Sequence, residues 1–166
     1  MLLGHRRNIV AQLTRYFEVE AALALGGRGE LWLDDDRLGA AIWHRPGAWP
    51  DAARTPVRAV IAFARIFSRR FLEASKAATA LARLHPLEPH WYLPFVGVVP
   101  EAAGAGRGSA LLAPVLQHSD EQRTGSYLEA TSADSAHLFQ RLGYVPRDEV
   151  VVAKRVVVRP MWREPK

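Results

Sequence analysis

The sequence contains no cysteine. That absence excludes disulfide bridges, cysteine-ligated zinc and a thiol nucleophile, so both fold and chemistry must rest on other residues. Lysine is scarce as well, occurring only at Lys76, Lys154 and Lys166 among 22 basic residues. With no lysine between positions 76 and 154, a Gly-Lys-Ser/Thr phosphate loop cannot be built in the middle of the chain. No apolar run approaches the length of about 18 residues that a membrane span requires. The opening MLLGHRR offers only a brief apolar stretch before its first bases, which is not the h-region of a secretory signal. These absences lead to the expectation of a cytoplasmic protein with no membrane partner and no metal.

What is present is the composition of a globular chain. Of 166 residues, 49% are apolar and 23% charged, enough to bury a core, and one domain over residues 1–166 is expected. The net charge of +5 is spread along the whole chain. Its densest group, Arg65, Arg69 and Arg70, has helical spacing but no interleaved aromatics, so nucleic acid is not the expected partner. An anionic small ligand suits such a surface better.

Periodicity organises the chain. Ile9, Leu13, Phe17 and Ala21 recur every four residues, predicting a helix from Arg6 to Leu25 that stops at GGRG. ELWL and LGAAIWH flank DDDR and read as a hairpin with Asp34, Asp35 and Asp36 as solvated turn residues. The proline-rich HRPGAWPDAARTP is a loop ending near Pro56. The segment from Val57 to His85 is helical by period, but too long for one straight helix, so a break is expected near Ser68. A proline-bounded strand, PLEPHWYLPFVGVVP, leads into a glycine stretch and a helix to about Ser119, with a bend expected at Pro114. GSYLEAT is a strand, SADSAHLFQRLG a helix, and two valine-rich strands near residues 149–152 and 155–161 close the chain. Local antiparallel pairs with one strand-helix-strand crossover make this an α/β protein with a mixed sheet.

The stretch VVPEAAGAGRGSALL carries the strongest chemical signal. Gly104, Gly106 and Gly108 come directly off a strand and open a helix, so backbone N–H groups can converge where side chains would otherwise block approach. The helix N-terminus adds positive partial charge, and the guest this favours is a phosphate or pyrophosphate, with Arg107 and Ser109 as side-chain donors. A dinucleotide fingerprint needs its third glycine one residue later, where Ser109 stands. A turn whose only task is to start a helix close to the sheet remains the bland alternative.

The segments HWYLPFVGVVPEAAGAGRGSALLAPVL, YLEAT, LFQRLGY and MWREP, in that order, resemble the GNAT superfamily of N-acetyltransferases. Within it, the likeness is to the branch containing puromycin N-acetyltransferase-like proteins. It covers residues 88–166 and extends to the hairpin GELWLDDDRLGAAIWHRPG. The resemblance implies the acyl-CoA N-acyltransferase fold, a mixed and mostly antiparallel sheet with a bulged strand and flanking helices. It further implies acetyl-CoA as co-substrate and a small-molecule primary amine as acceptor.

Residue by residue, Gly97, Val98 and Val99 match the bulged strand whose free backbone groups pair with the pantetheine arm. Gly104, Ala105, Gly106, Arg107, Gly108 and Ser109 match the loop around the pyrophosphate. Glu129 matches a carboxylate near the acetyl group and is the candidate general base, and the Val98 amide is the candidate carbonyl polariser. A strand-end glutamate bonded only to neighbouring backbone is the competing reading of Glu129. Ser135 and Phe139 fall at cofactor-facing positions where relatives carry asparagine and tyrosine.

Besides Ser135, two residues depart from the family pattern. Ala103 replaces a basic or amide side chain, and Phe139 cannot donate a proton to a leaving thiolate as tyrosine can. They motivate an alternative, a degenerate acyl-CoA-binding relative with little turnover. The resemblance leads one to expect a first strand and helix ahead of the opening helix; either the recorded start lies inside the reading frame or the domain lacks them, and in the second case an uncovered edge would invite homodimerisation. His44 and His90 are expected as surface or capping histidines, with a place facing the amine as the alternative for either, and His137 as a remote candidate acid. Tyr144 is expected in the core, Tyr92 and Tyr127 as strand packing, and Trp32, Trp43 and Trp49 as core or rim residues.

Overall fold

The structure is a computed structural model and describes residues 2–48, 56–153 and 156–166. Helix α1 (Leu2–Leu23) ends in a widened turn over Ala24–Arg28, where Gly27 takes φ 99° and stops the helix as the glycine-rich sequence requires. Strands β1 (Gly29–Leu33) and β2 (Gly39–His44) form the expected hairpin. Helices α2 (Val57–Phe67) and α3 (Phe71–Leu84) are separated by a tight turn at Ser68–Arg70, with Ser68 at φ 47°. The expected break near Ser68 is therefore present. Strand β3 (His90–Val98), helix α4 (Arg107–Glu121) and strand β4 (Gly125–Ala130) make the crossover. Helix α4 runs through Pro114 and reaches Glu121, slightly beyond the expected end at Ser119. Helix α5 (Ala133–Arg141), β5 (Val145–Pro146), β6 (Val150–Ala153) and β7 (Val156–Arg163) complete the order. The short β5 carries no periodic signal and was not expected from the sequence.

The seven strands form one open sheet in the order β1-β2-β3-β4-β7-β5, with β6 on β7. Every pairing is antiparallel except β3 with β4. The mixed α/β architecture anticipated from the sequence is thus the one observed.

A bulge in β3 decides what each face of the sheet receives. Its register against β2 shifts between Ile42 and His44, so that Leu93 and Pro94 together stand opposite Trp43. One extra residue inverts the alternation of side chains beyond it. Leu93, Val96 and Val98 consequently share the face packed by α4 and α5, with Trp43, Trp91, Leu112, Leu128, Phe139, Tyr144 and Met161. Tyr92 and Phe95 both turn to the other face. There the Phe95 ring meets Tyr16 and Phe17 of α1, edge to face, at 5.7 and 5.2 Å. Burying each large apolar side chain of the first face stabilises the fold by roughly 1.5–3 kcal/mol. The stripe on α1 is less enclosed, with Ile9, Leu13 and Phe17 between 42% and 50% exposed.

Candidate functional site

The site begins where two parallel strands separate. β3 and β4 are paired only from His90↔Gly125 to Leu93↔Leu128. Past that point β3 stays with β2 through Val98, while β4 stays with β7 through Ala130. Pro94 stands at the division, and a proline has no N–H with which to continue a ladder. The strands thus open a wedge along one edge of β3.

Backbone direction in the wedge follows from one hydrogen bond. Val99 N–H donates to Leu38 O at 2.8 Å, toward β2, and Val99 O accepts from Ala102 N–H at 3.0 Å. Alternation along the strand therefore turns the N–H and C=O of Val98 and Val96 away from β2, into the wedge. Of the three strand positions singled out by sequence, Val98 presents its amide there, whereas both backbone groups of Val99 are engaged elsewhere. Val96 was not anticipated, because no composition signal marks which amides of a strand lose their partner.

The glycine stretch closes the wide end of the wedge. Gly104 and Gly106 take φ 81° and 79°, the left-handed region that side chains enter only with strain. A Cβ at Gly97, Gly104 or Gly106 would meet nothing within 4 Å, so this side of the loop is open. The first helical bond of α4 is Ala110 N–H to Gly106 O at 3.0 Å. The N–H groups of Arg107, Gly108 and Ser109 precede it and lack intrahelical acceptors, and Gly106 supplies no side-chain cap. The loop offers an anion several donors beside a positive helix end.

Arg107 is already occupied. Its Nη1 lies 2.6 Å from Asp34 Oδ2 and its Nη2 lies 2.6 Å from Asp36 Oδ2. Asp34 Oδ1 also accepts the Leu38 and Gly39 amides at 2.7 and 3.0 Å. Partial burial pulls the Asp34 carboxyl upward, but the Arg107 bond and the two amides outweigh it and hold it below the ordinary carboxylate range. Asp35 and Asp36 are exposed in the turn as expected, but Asp34 is half-buried, and both Asp34 and Asp36 are partners of the loop arginine. That pairing was not foreseen because the hairpin tip folds back onto the start of α4, a contact between residues about seventy positions apart.

On the opposite face, Glu129 stands near the end of β4 and accepts the Tyr92 hydroxyl at 2.9 Å on Oε2. Among the described residues its Oε1 and the Tyr127 hydroxyl are buried and make no hydrogen bond of good geometry, though that hydroxyl lies close enough to act on the carboxyl. Burial raises the Glu129 carboxyl to about 7, against the opposing pull of the tyrosine hydroxyls. The carboxyl can therefore both hold and release a proton near neutral pH.

Three histidines pack beside this carboxyl's tyrosines. The His85 ring lies edge-on at 4.6 Å from Tyr92 and 4.9 Å from Tyr127, and His44 stacks on Tyr92 at 5.9 Å. His90 Nδ1–H donates to Glu88 O at 2.6 Å, which leaves its Nε2 to accept from His85 Nε2–H at 2.9 Å. Burial lowers His44 to about 4 and His85 to about 3, the latter also through His90 and His44, and lowers His90 as well. All three are neutral at physiological pH. His44 and His90 are 4% and 5% exposed, so the surface or capping role expected of them is incorrect. His44 at the end of β2 and His90 at the start of β3 both turn toward the tyrosines of the neighbouring strands, which local sequence does not reveal, and His85 was not singled out at all.

The remaining candidates divide. Phe139 is 4% exposed and meets Tyr144 edge to face at 5.9 Å. Tyr144 is buried as expected and hydrogen-bonds Ser126. Ser135 is drawn into a capping box with Ser132 at the start of α5. His137 is exposed, Trp43 is core, Trp32 is half-buried with its indole N–H on Glu30, and Trp49 lies outside the described residues. Among the described residues no group of three or more His, Asp or Glu side chains is placed to hold a metal, and no helix is long and apolar enough to cross a membrane.

A mixed sheet split between parallel strands, with a glycine loop and helix N-terminus at the mouth of the split, defines an acyltransferase-like α/β class. Residues 30–144 match the acetyltransferase (GNAT) family, and the chain belongs to that family. A structure from Corynebacterium glutamicum described as histone acetyltransferase HPA2 and related acetyltransferase is 30% identical. The match covers 94% of this chain and 75% of that one, with TM-score 0.67. Two more distant structures share the fold. Polyamine N-acetyltransferase of Drosophila melanogaster is 18% identical, with TM-score 0.53 over 89% of this chain and 79% of its own. Naa20 of Chaetomium thermophilum is 14% identical, with TM-score 0.54 over 90% and 72%.

Proposed function

We propose that this single-domain chain transfers an acetyl group from acetyl-CoA to a primary amine of a small molecule. The observation that carries the reading is the wedge between β3 and β4, which has unpaired amides on one wall, a glycine loop at its mouth and a carboxyl of raised pKa near its other wall. The open glycine edge fits the cofactor, since no Cβ fills it. Val98 and Val96 would hold the pantetheine arm through their backbone groups, Gly97 would leave room for it because its own backbone faces β2, and Gly104 to Ser109 would hold the pyrophosphate. When bound, acetyl-CoA supplies an activated thioester that an amine can attack directly.

The chain's own residues do the rest. The Val98 amide, directed into the wedge, donates to the carbonyl oxygen as negative charge develops there. Glu129 would accept the amine's proton, directly or through water, while the Tyr92 hydroxyl on Oε2 fixes the carboxylate's orientation. The C–S bond breaks as the amide forms, and CoA would leave as the thiolate and take its proton from water, since Phe139 has none to give. Burial leaves the proton affinity of that carboxylate high. The motif likeness supports a kinship with the puromycin N-acetyltransferase-like branch as part of this proposal.

Stabilisation by acetyl-CoA in a thermal-shift assay, followed by thiol release over a panel of amines, tests the reading. The name of the Corynebacterium relative makes a lysine side chain a useful second arm of that panel. Phe139, buried and without a hydroxyl, favours one other reading, an acyl-CoA-binding protein with little turnover. Binding without thiol release above the uncatalysed rate would select it.

A further inference from the structure

The loop arginine invites a simple role, direct donation to a phosphate, but its surroundings argue for another. Both Arg107 nitrogens that face the hairpin are bonded to carboxylates at 2.6 Å, so the group beside the loop is a triad of one cation and two anions. The tip holding those anions is fixed. Val99 N–H is bonded to Leu38 O, and Asp34 braces the same turn through the Leu38 and Gly39 amides. Gly39 itself lies so close to α4 that a Cβ there would come within 2.8 Å of Leu111 Cδ1. Asp34 cannot withdraw without dismantling the start of β2, and Asp36 stands two residues away on the same fixed tip. Left bare, two carboxylates beside the α4 N-terminus would repel the polyanion that the loop's amides are arranged to accept.

We propose that Arg107 is a positioning and charge-shielding residue, which neutralises the hairpin carboxylates at the mouth of the pyrophosphate loop rather than donating to the phosphates. The inference rests on the acetyl-CoA reading above and deepens it. Under this arrangement CoA affinity follows the net charge of the triad, which is −1 in the natural chain because one arginine faces two aspartates.

Isothermal titration with CoA at low ionic strength tests the assignment on three variants. Asp36→Asn should tighten binding about fivefold and Arg107→Gln should weaken it about fivefold, as expected for one charge near a polyanion across water. Arg107→Gln combined with Asp36→Asn should return affinity to the wild-type value, because the triad charge is again −1. All differences should collapse in about 0.5 M salt, where screening is short-ranged. Asp36 is the partner to remove because its carboxylate is exposed and, unlike that of Asp34, does not brace the turn. A double variant as weak as Arg107→Gln alone, with wild-type binding intact, would overturn the shielding role and make Arg107 a direct donor. Failure of the wild-type chain to bind CoA would overturn the loop assignment and the shield together.

Discussion

The glycine loop and the Glu129 cluster lie on the two sides of one wedge and are built on opposite principles. The loop acts through backbone: left-handed glycines, unpaired N–H groups and a helix end, with side chains mainly kept out of the way. The cluster acts through side chains gathered from β2, the turn after α3, β3 and β4, whose mutual burial sets their proton affinities. The difference teaches where each is vulnerable. A backbone site fails when a dihedral angle is forbidden, and a side-chain site fails when a charge state or a partner changes.

The largest expected effect separates the two regions outright. Glu129→Gln should lower kcat by about a hundred- to a thousandfold, the range of a general base, while CoA affinity by calorimetry stays within about twofold. Gly106→Val should do the reverse. A β-branched residue at φ 79° carries strain of about 1–3 kcal/mol and brings a side chain to the open edge, so CoA affinity should fall by about a hundredfold. If either variant damages both properties equally in a folded protein, the division between the two regions is wrong.

A third substitution weakens what both share. Arg163, 4% exposed, is bidentate on Asp120 at 2.7 and 2.7 Å and donates to Leu142 O, tying β7 to the end of α4 away from the wedge. Arg163→Ala should destabilise the protein by about 3 kcal/mol in urea unfolding. Its folded fraction should bind CoA as before. The Arg163 bond holds the Asp120 carboxyl below its ordinary range, so this pair's contribution is complete above the usual carboxylate pKa and is lost as pH falls through the depressed value.

The smallest effect is graded. Glu129 must be deprotonated to accept a proton, so kcat/KM should rise about tenfold per pH unit up to about 7 and then level off. For stability the sign is opposite. The folded carboxyl keeps its proton after the unfolded one has lost it, so stability falls as pH rises from the ordinary carboxylate range to about 7. Glu129→Gln should abolish both trends, and a limb that survives in that variant would assign it to another group.

Much of the architecture was legible from residues alone. The acidic hairpin, the break near Ser68, the crossover and the glycine loop each rest on a local rule of periodicity, turn chemistry or glycine conformation. The bulge at Leu93 and Pro94 was legible only as part of the family resemblance, and its consequence, that Tyr92 and Phe95 share a face, needed the register itself. The histidines were misjudged for a similar reason. Nothing near His90 in sequence announces that His85 will lie against it, or that Tyr127 will close the same cluster.

By itself, the sequence determined which backbone could bend: glycines at 104 and 106, a proline at 94, and no cysteine to offer another route to stability. Those are properties of a residue and its immediate neighbours. Only the tertiary structure decided that Arg107 would face two aspartates, that Val98 would turn into the wedge while Val99 turned away, and that Glu129 would be buried enough to titrate near neutrality. The physical reason is that charge pairing, loss of a ladder partner and desolvation depend on groups distant in the chain. Their energies exist only once the fold has brought those groups together.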